Sequence, residues 1–166
     1  GARACRVTPA GAEVLWKKPF SDGNGDIIWQ DHLYVPGGVY KCVDLKTGEF
    51  NWKKSIGSCG ECSANVLADG KIFTPKGENH QLTKNYGDLT YSLSMIKATP
   101  EACIELSVFN PKMCMMTSPA IAGGKLYLRT LDGIACYDLQ DHGIYVEGVA
   151  TKKEALTFRF KQTGGG

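Results

Sequence analysis

Two cysteines near the middle of the chain have the spacing that most readily supports chemistry. In Cys59-Gly60-Glu61-Cys62 the thiols lie three positions apart, which suits a local disulfide, a pair of metal ligands or a redox couple. Ser63 follows where covalent haem attachment requires a histidine, so haem is not predicted. No second pair of this kind occurs, and a metal site would need His80 or groups outside the chain. We favour structural thiols or a Cys59–Cys62 disulfide, with metal binding and redox chemistry as the alternatives.

The other five cysteines favour packing over chemistry. Three of them occupy one position of a recurring unit: Cys5, Cys42 and Cys136. Met95 stands in the corresponding place of another copy, and a position filled by either cysteine or methionine favours a soft apolar group in a core. We expect the same packing role for Cys103 and Cys114. The odd total of seven cysteines argues against a fully paired disulfide framework.

No catalytic constellation can be assembled from the remaining polar residues. The histidines fall in predicted turns or in a polar link, without a nucleophile partner: His32, His80 and His142. Arg129 would meet an anionic group if its side chain faced a channel, but an exposed strand face is the favoured interpretation. Other candidate ligands fit turns or loops equally well: Asp26, Asp31, Asn65, Asp88 and Asp132. The sequence therefore predicts no catalytic residue.

Short strands that recur along the chain must position these side chains. Gly37–Lys54 is typical of two strands around the turn Lys46-Thr47-Gly48, and it closes on Trp52. Ala4–Lys18 repeats the pattern and closes on Trp16, with Cys5 and Cys42 each six residues before a turn glycine. A unit that recurs within one chain indicates a repeat architecture.

A further hairpin lies upstream of each strand pair. Asp69-Gly70 and Gly123-Gly124 stand between apolar runs, and Trp29–Tyr34 is a looser third copy. Such turns need positive φ at their centre, which glycine and aspartate tolerate. The tetrapeptide Cys42-Val43-Asp44-Leu45 is matched, with one difference, by Cys136-Tyr137-Asp138-Leu139, 94 residues later. Two repeats of about 47 residues have the size of a four-stranded blade.

In strand order, half a blade precedes three four-stranded blades. The predicted bounds are Ala4–Lys18 for the half-blade and Gly25–Lys54, Cys62–Phe109 and Thr117–Glu147 for the blades. Residues 1–147 thus hold the blades, and 148–166 form a tail in which alternation around Phe158 predicts one more strand. The long polar link Lys76–Asp88 is expected to be a surface excursion. No long amphipathic helical period is present, so the fold class is all-β.

Several of these sequence segments resemble the pyrroloquinoline-quinone-like (PQQ-like) β-propeller repeat. The matching stretches are DLKTGEFNW, ADGKIF and TSPAIAGGKLYLRTLDGIACYDL, with Ser118-Pro119 and Asp132-Gly133 at positions typical of the repeat. The resemblance covers roughly Ala4–Leu139 and implies about three and a half antiparallel blades of a larger ring of seven or eight blades. We expect the remaining blades to come from another piece or from a second copy of the chain.

The resemblance is less specific for function than for fold, because propellers are scaffolds for many sites. It implies a non-catalytic binding or assembly scaffold in the periplasm or cell envelope, without a cofactor. Loops Cys59–Ser63 and Met113–Ser118 would contact a protein partner at one mouth of the central channel. The methionines there would provide apolar contacts or belong to the core: Met113, Met115 and Met116.

The alternative implied by the same resemblance is part of a quinoprotein alcohol dehydrogenase. Enzymes of that type hold PQQ with calcium over two adjacent cysteines, and this chain has no adjacent pair. Channel-facing candidates for contact with such a cofactor are Ser63, Ser118 and Arg129. A metal, if one is bound, would take Cys59, Cys62 and His80.

Composition excludes two other classes of partner. The chain of 166 residues is 43% hydrophobic and 22% charged, which is ordinary for a globular protein with a core. A net charge of +2 provides no broad surface for nucleic acid, and the lysine pairs such as Lys53-Lys54 read as solvated rims. No apolar run approaches the ~20 residues needed to span a bilayer.

Overall fold

The computed structural model describes residues 1–20, 25–56, 58–59, 64–77, 90–114, 117–130 and 133–139. Within these ranges every residue is strand, turn or loop, and no apolar helix of membrane-spanning length is found. The strands, in chain order, are β1 (Ala2–Thr8), β2 (Gly11–Lys18), β3 (Ile27–Trp29), β4 (His32–Val35), β5 (Tyr40–Asp44), β6 (Phe50–Lys54), β7 (Ser58–Cys59), β8 (Val66–Ala68), β9 (Lys71–Gly77), β10 (Thr90–Lys97), β11 (Ile104–Cys114), β12 (Ala120–Ala122), β13 (Lys125–Thr130) and β14 (Gly133–Asp138). The prediction of an all-β chain is confirmed.

The strands form antiparallel units that follow one another along the chain. β1 and β2 form a hairpin, and β3–β6 form a four-stranded sheet in chain order, the first blade. β8–β11 pair in the same order as the second blade, and β12–β14 are the described strands of the third. This succession of up-and-down sheets is the architecture of a β-propeller, so the predicted fold is confirmed. The tail at 148–166 lies outside the described residues.

The first two strands of each blade are joined by the turns that the sequence predicts. In all three turns both central residues have positive φ, the geometry of a tight hairpin: Gln30 46° and Asp31 62°, Asp69 48° and Gly70 64°, Gly123 55° and Gly124 74°. These turns fix the register of the inner strands, because a two-residue loop allows only one alignment of the two strands that it joins.

One cross-strand pair recurs in the three blades and shows how they stack. The pairs are Tyr34 with Cys42, Phe73 with Met95, and Tyr127 with Cys136. In the first blade this pair clusters with Ile72 of the second blade, and in the second blade it clusters with Leu126 of the third. The hydrophobic core therefore lies between successive blades, each of which covers one face of its predecessor.

Tryptophans on the outer strands tie successive units together. The indole Nε1 of Trp16, on the hairpin, donates a hydrogen bond to the carbonyl of Leu45 in the first blade at 2.8 Å. The Nε1 of Trp52, on the first blade, donates to the carbonyl of Thr99 in the second blade at 2.9 Å. The acceptor in each case precedes the outer strand of the next unit, which explains why the repeat closes on tryptophan.

The predicted equivalence of Cys5 and Cys42 is wrong. Trp16 pairs with Ala4, whereas Trp52 pairs with Cys42, so Ala4 is the residue equivalent to Cys42. Counting from the turn glycines misplaces Cys5 by one residue, because the hairpin turn is shorter than the turn of the first blade. A shift of one residue sends a side chain to the opposite face, and Cys5 is exposed while Cys42 is buried.

The outer strand of the second blade is longer than predicted. It continues past Phe109 to Cys114, with a bulge at Asn110–Lys112, where Pro111 has no N–H to pair. Lys112 has φ 53°, and its N–H donates to Asn110 Oδ1 at 2.9 Å. The bulge bends the strand, and its end bridges to the third blade through Met113 and Thr130.

The predicted surface excursion, Lys76–Asp88, begins within a strand. Lys76 and Gly77 are the last residues of β9, and the short strand β7 pairs with them. β10 begins at Thr90, and residues 78–89 lie outside the described residues.

Candidate functional site

The candidate site lies where the first strand of each blade begins. We call it the inner rim and define it by five residues: Gly25, Asp26, Ala64, Asn65 and Ser118. These residues directly precede β3, β8 and β12 or lie within two positions of them. Because the first strand of a propeller blade is the innermost, the inner rim is where the blades border the central channel.

Two hydrogen bonds connect the inner rim across three blades. Asn65 Nδ2 donates to the carbonyl of Gly25 at 2.9 Å, which joins the second blade to the first. The backbone N–H of Ala64 donates to Ser118 Oγ at 3.0 Å, which joins the second blade to the third. These partners are 40 and 54 residues apart in sequence, so the contacts depend on the stacking of the blades.

Close backbone approach at Gly25 makes the first of these contacts feasible. Gly25 has φ 85°, a conformation that side-chain-bearing residues rarely adopt. A Cβ at this position would lie 2.7 Å from both the Cα of Ala64 and the N of Asn65. Only glycine therefore lets the first two blades meet here.

The polar groups of the inner rim can form hydrogen bonds with a ligand or partner. Ser118 is exposed, and its Oγ accepts from Ala64, which leaves its own hydroxyl hydrogen able to donate. Asn65 Oδ1 is buried and has no hydrogen-bond partner among the described residues. The Asp26 side chain is exposed, but nearby protein removes part of its hydration and raises the pKa of its carboxyl group. The rim thus offers a hydroxyl donor, an amide acceptor and a carboxyl group.

The structure describes two of the three predicted cofactor-contact residues. Ser118 belongs to the inner rim, whereas Arg129 lies on an exposed face of β13, the position that the favoured interpretation gave it. Ser63 lies outside the described residues. No prediction placed Ser118 against Ala64, because that contact joins two blades.

The predicted metal ligands and disulfide fall largely outside the described residues. For Cys59 the structure describes only the backbone, as part of β7. Cys62 and His80 lie outside the described ranges, so the disulfide and the metal site stay predictions. Within the described part of the chain, no three His, Cys, Asp or Glu side chains converge as a metal site requires.

The other candidates have structural roles where they can be seen. Met113 is fully buried with Leu126 and Leu128, so the core alternative is confirmed for it, and Met115 and Met116 lie outside the described residues. His32 begins β4, and its Nδ1 lies 2.6 Å from the carbonyl of Gln30 in the adjacent turn. His142, Asp88 and Asp132 also lie outside the described residues.

The packing interpretation is confirmed for Cys42 and Cys103, which belong to core clusters, and it is wrong for Cys5, which is exposed. Cys42 is completely buried, and this burial raises the pKa of its thiol to about 11. Cys103 is partly buried against the cluster that contains Tyr40 and Ile96. Cys114 and Cys136 are partly buried.

Sequence reasoning missed one buried charge. Lys41 is 7% exposed, and burial, followed by the charge of the opposite Lys53, lowers the pKa of its ammonium group. Side chains alternate along β5, so Lys41 lies on the same face as Val43 and on the opposite face from Cys42. This alternation, read from the sequence, could have predicted that Lys41 shares a buried face with Val43.

No protein-family profile and no curated protein sequence matches the chain. Among solved structures, it is similar to a quinohemoprotein alcohol dehydrogenase from Pseudomonas putida HK5, at 16% identity and a TM-score of 0.48, over 69% of this chain and 18% of the other. It is also similar to BamB from Moraxella catarrhalis, at 11% identity and a TM-score of 0.48, over 87% of this chain and 48% of the other. The chain spans less than half the length of each of these proteins.

Proposed function

We propose that this chain belongs to a PQQ-like β-propeller that acts as a non-catalytic binding or assembly scaffold in the cell envelope. Its inner rim would contact a protein partner. The observation that supports this proposal is the pair of hydrogen bonds, Asn65 to Gly25 and Ala64 to Ser118, that joins three blades. A surface held in this way presents its loops in a fixed geometry, which reduces the ordering entropy lost on binding.

The chemistry of the inner rim suits recognition. Asp26 is the one titratable side chain among its five residues. The other polar side chains of the rim are the hydroxyl of Ser118 and the amide of Asn65. These groups can direct hydrogen bonds to the backbone or side chains of a bound protein. The envelope location and the class of partner come from the repeat resemblance.

The alternative function requires a calcium-bound quinone. Such a site needs several oxygen ligands around one point. Within the described residues, no group of three acidic, histidine or cysteine side chains converges. We propose a scaffold without a resident cofactor, as the repeat resemblance implies.

Photo-crosslinking from the inner rim tests the proposal. A photoreactive residue at Asp26 should capture one defined partner in intact cells, while the same residue at exposed Glu13 of the β1–β2 hairpin should not. With the purified partner, Ser118→Ala should weaken binding roughly tenfold, the effect of about one hydrogen bond, and Glu13→Gln should leave binding unchanged. Equal capture from Asp26 and Glu13, or tight calcium-dependent binding of PQQ by the complete protein, would contradict the proposal.

A further inference from the structure

Among the described residues, the third blade exposes a face that is buried in the other two blades. Tyr127 is 37% exposed, whereas its equivalents Tyr34 and Phe73 are 1% and 5% exposed. Ile134, on the same face of the adjacent strand, is 75% exposed. We call this surface the trailing face and define it by Tyr127, Ile134 and Cys136.

The β1–β2 hairpin exposes the other face, the one that packs against the preceding blade in the rest of the chain. Cys5, Val43 and Ile96 are equivalent, because each is the first residue after the register shift of its strand. Val43 and Ile96 are completely buried, but Cys5 is exposed. We call this surface the leading face and define it by Cys5, Val7 and Val14, of which Val7 is 79% and Val14 45% exposed.

Within the chain, the trailing side of one blade always packs on the leading side of the next. Tyr34 and Cys42 of the first blade cluster with Ile72, which pairs with Ile96 on the leading side of the second blade. The trailing side of the second blade packs in the same way on Leu126 and Leu128 of the third. The two uncovered faces are therefore the two halves of an interface that the chain already forms twice.

We propose that the trailing face of one copy binds the leading face of a second copy, head to tail. Each face exposes apolar side chains beside one arginine, Arg129 opposite Ile134 on the trailing face and Arg3 two residues before Cys5 on the leading face, and exposed apolar surface of this kind marks an interaction site. Continuity with the two internal interfaces identifies the occupant as a leading face of the same repeat. Head-to-tail contacts form a closed ring when the rotation between units allows it.

The inference predicts a specific complementation between two variants. Val7→Asp places a charge on the leading face, and Ile134→Asp places one on the trailing face. Each variant alone has no intact head-to-tail contact, whereas their mixture has one, between the leading face of the Ile134→Asp chain and the trailing face of the Val7→Asp chain. Val108→Asp, at a 45% exposed position on β11 outside both faces, is the matched control.

Native mass spectrometry with light scattering provides the readout. We expect the unaltered chain and Val108→Asp to be dimers, each single face variant to be a monomer, and the mixture of the two face variants to regain a dimer. Circular dichroism should show the same strand content in all samples, because Val7 and Ile134 are mostly exposed and Val108 is 45% exposed. A monomeric unaltered chain, a dimer that survives either face variant, or a mixture that stays monomeric would overturn the inference.

Discussion

The indole Nε1 of Trp52 donates a hydrogen bond to the carbonyl of Thr99, 2.9 Å away and 47 residues later in the chain. The ring of Trp52 also stacks on Tyr40, with centroids 5.8 Å apart and planes at 18°. One side chain thus packs on its own blade and reaches the turn of the next. Trp16 makes the equivalent hydrogen bond to Leu45, so the contact is a repeated device for joining blades.

Replacing Trp52 with another aromatic residue should weaken the contact between the first two blades. Trp52→Phe keeps an aromatic face against Tyr40 but loses the donor to Thr99. We expect the free energy of unfolding to fall by about 1 kcal/mol, the typical net contribution of one hydrogen bond. Urea denaturation would measure the change. Trp16→Phe should give a similar loss, and unchanged stability in both variants would contradict the joining role.

Gly25 should be far less replaceable than a glycine in an open turn. Gly25→Ala combines strain at φ 85° with overlap against the backbone of Ala64. Gly123→Ala is the matched control, because Gly123 has φ 55° but nothing within 4 Å of the added Cβ. We expect a loss of about 1–2 kcal/mol for the control and a clearly larger loss for Gly25→Ala in the same denaturation assay. Equal losses would show that the blades do not approach closely at the inner rim.

The sequence predicts local features of this fold well. Asp69-Gly70 and Gly123-Gly124 specify their turns because the φ values required depend only on the residues in the turn. The repeat spacing then places strands of the right number and order in the first two blades, and in the right order for the described strands of the third. These signals act within a few residues, so they survive without knowledge of the neighbouring blade.

Features that depend on contacts between blades could not be predicted. The hydrogen bond between Ala64 and Ser118 joins residues 54 positions apart, and neither residue type implies the other. Cys5 was misplaced because two turns of different length hide a shift of one residue. The extension of β11 past Phe109 was missed because Asn110-Pro111 normally ends a strand, whereas here it makes a bulge.

Asp44 should make the stability of the first blade sensitive to acid. The backbone N–H of Thr47, at 2.8 Å, is the main cause that lowers the pKa of the Asp44 carboxyl, with further donation from the Thr47 hydroxyl and the Lys46 N–H. A carboxyl whose pKa is lower in the folded state stabilises the fold above its unfolded pKa of about 3.9, and this stabilisation is lost as pH falls through the folded value.

Asp44→Asn separates this effect from general acid denaturation. The asparagine keeps an acceptor oxygen at the same place but does not titrate. Between about pH 5 and pH 2, the unaltered chain should therefore lose more unfolding free energy than the variant. Thermal melts across this range would measure it, and parallel pH profiles for the two proteins would contradict the role of Asp44.

Cys42 should be chemically inert in the folded protein. Burial raises the pKa of its thiol to about 11, and thiolate is the form that alkylates. At pH 8, iodoacetamide followed by peptide mass analysis should label Cys5 quickly and Cys42 only after unfolding. The experiment should use the Val7→Asp variant. Its leading face cannot bind a second copy, so Cys5 stays exposed. Labelling of Cys42 as fast as Cys5 would contradict the burial of the first blade's trailing side.

The central claim is that successive blades cover one another through one recurring interface. Nuclear Overhauser contacts between methyl groups and aromatic rings test it most directly. We predict cross-peaks from the methyl groups of Ile72 to the ring of Tyr34, and from those of Leu126 to the ring of Phe73. A folded, strand-rich chain that lacks both sets of cross-peaks would contradict the stacking of the blades.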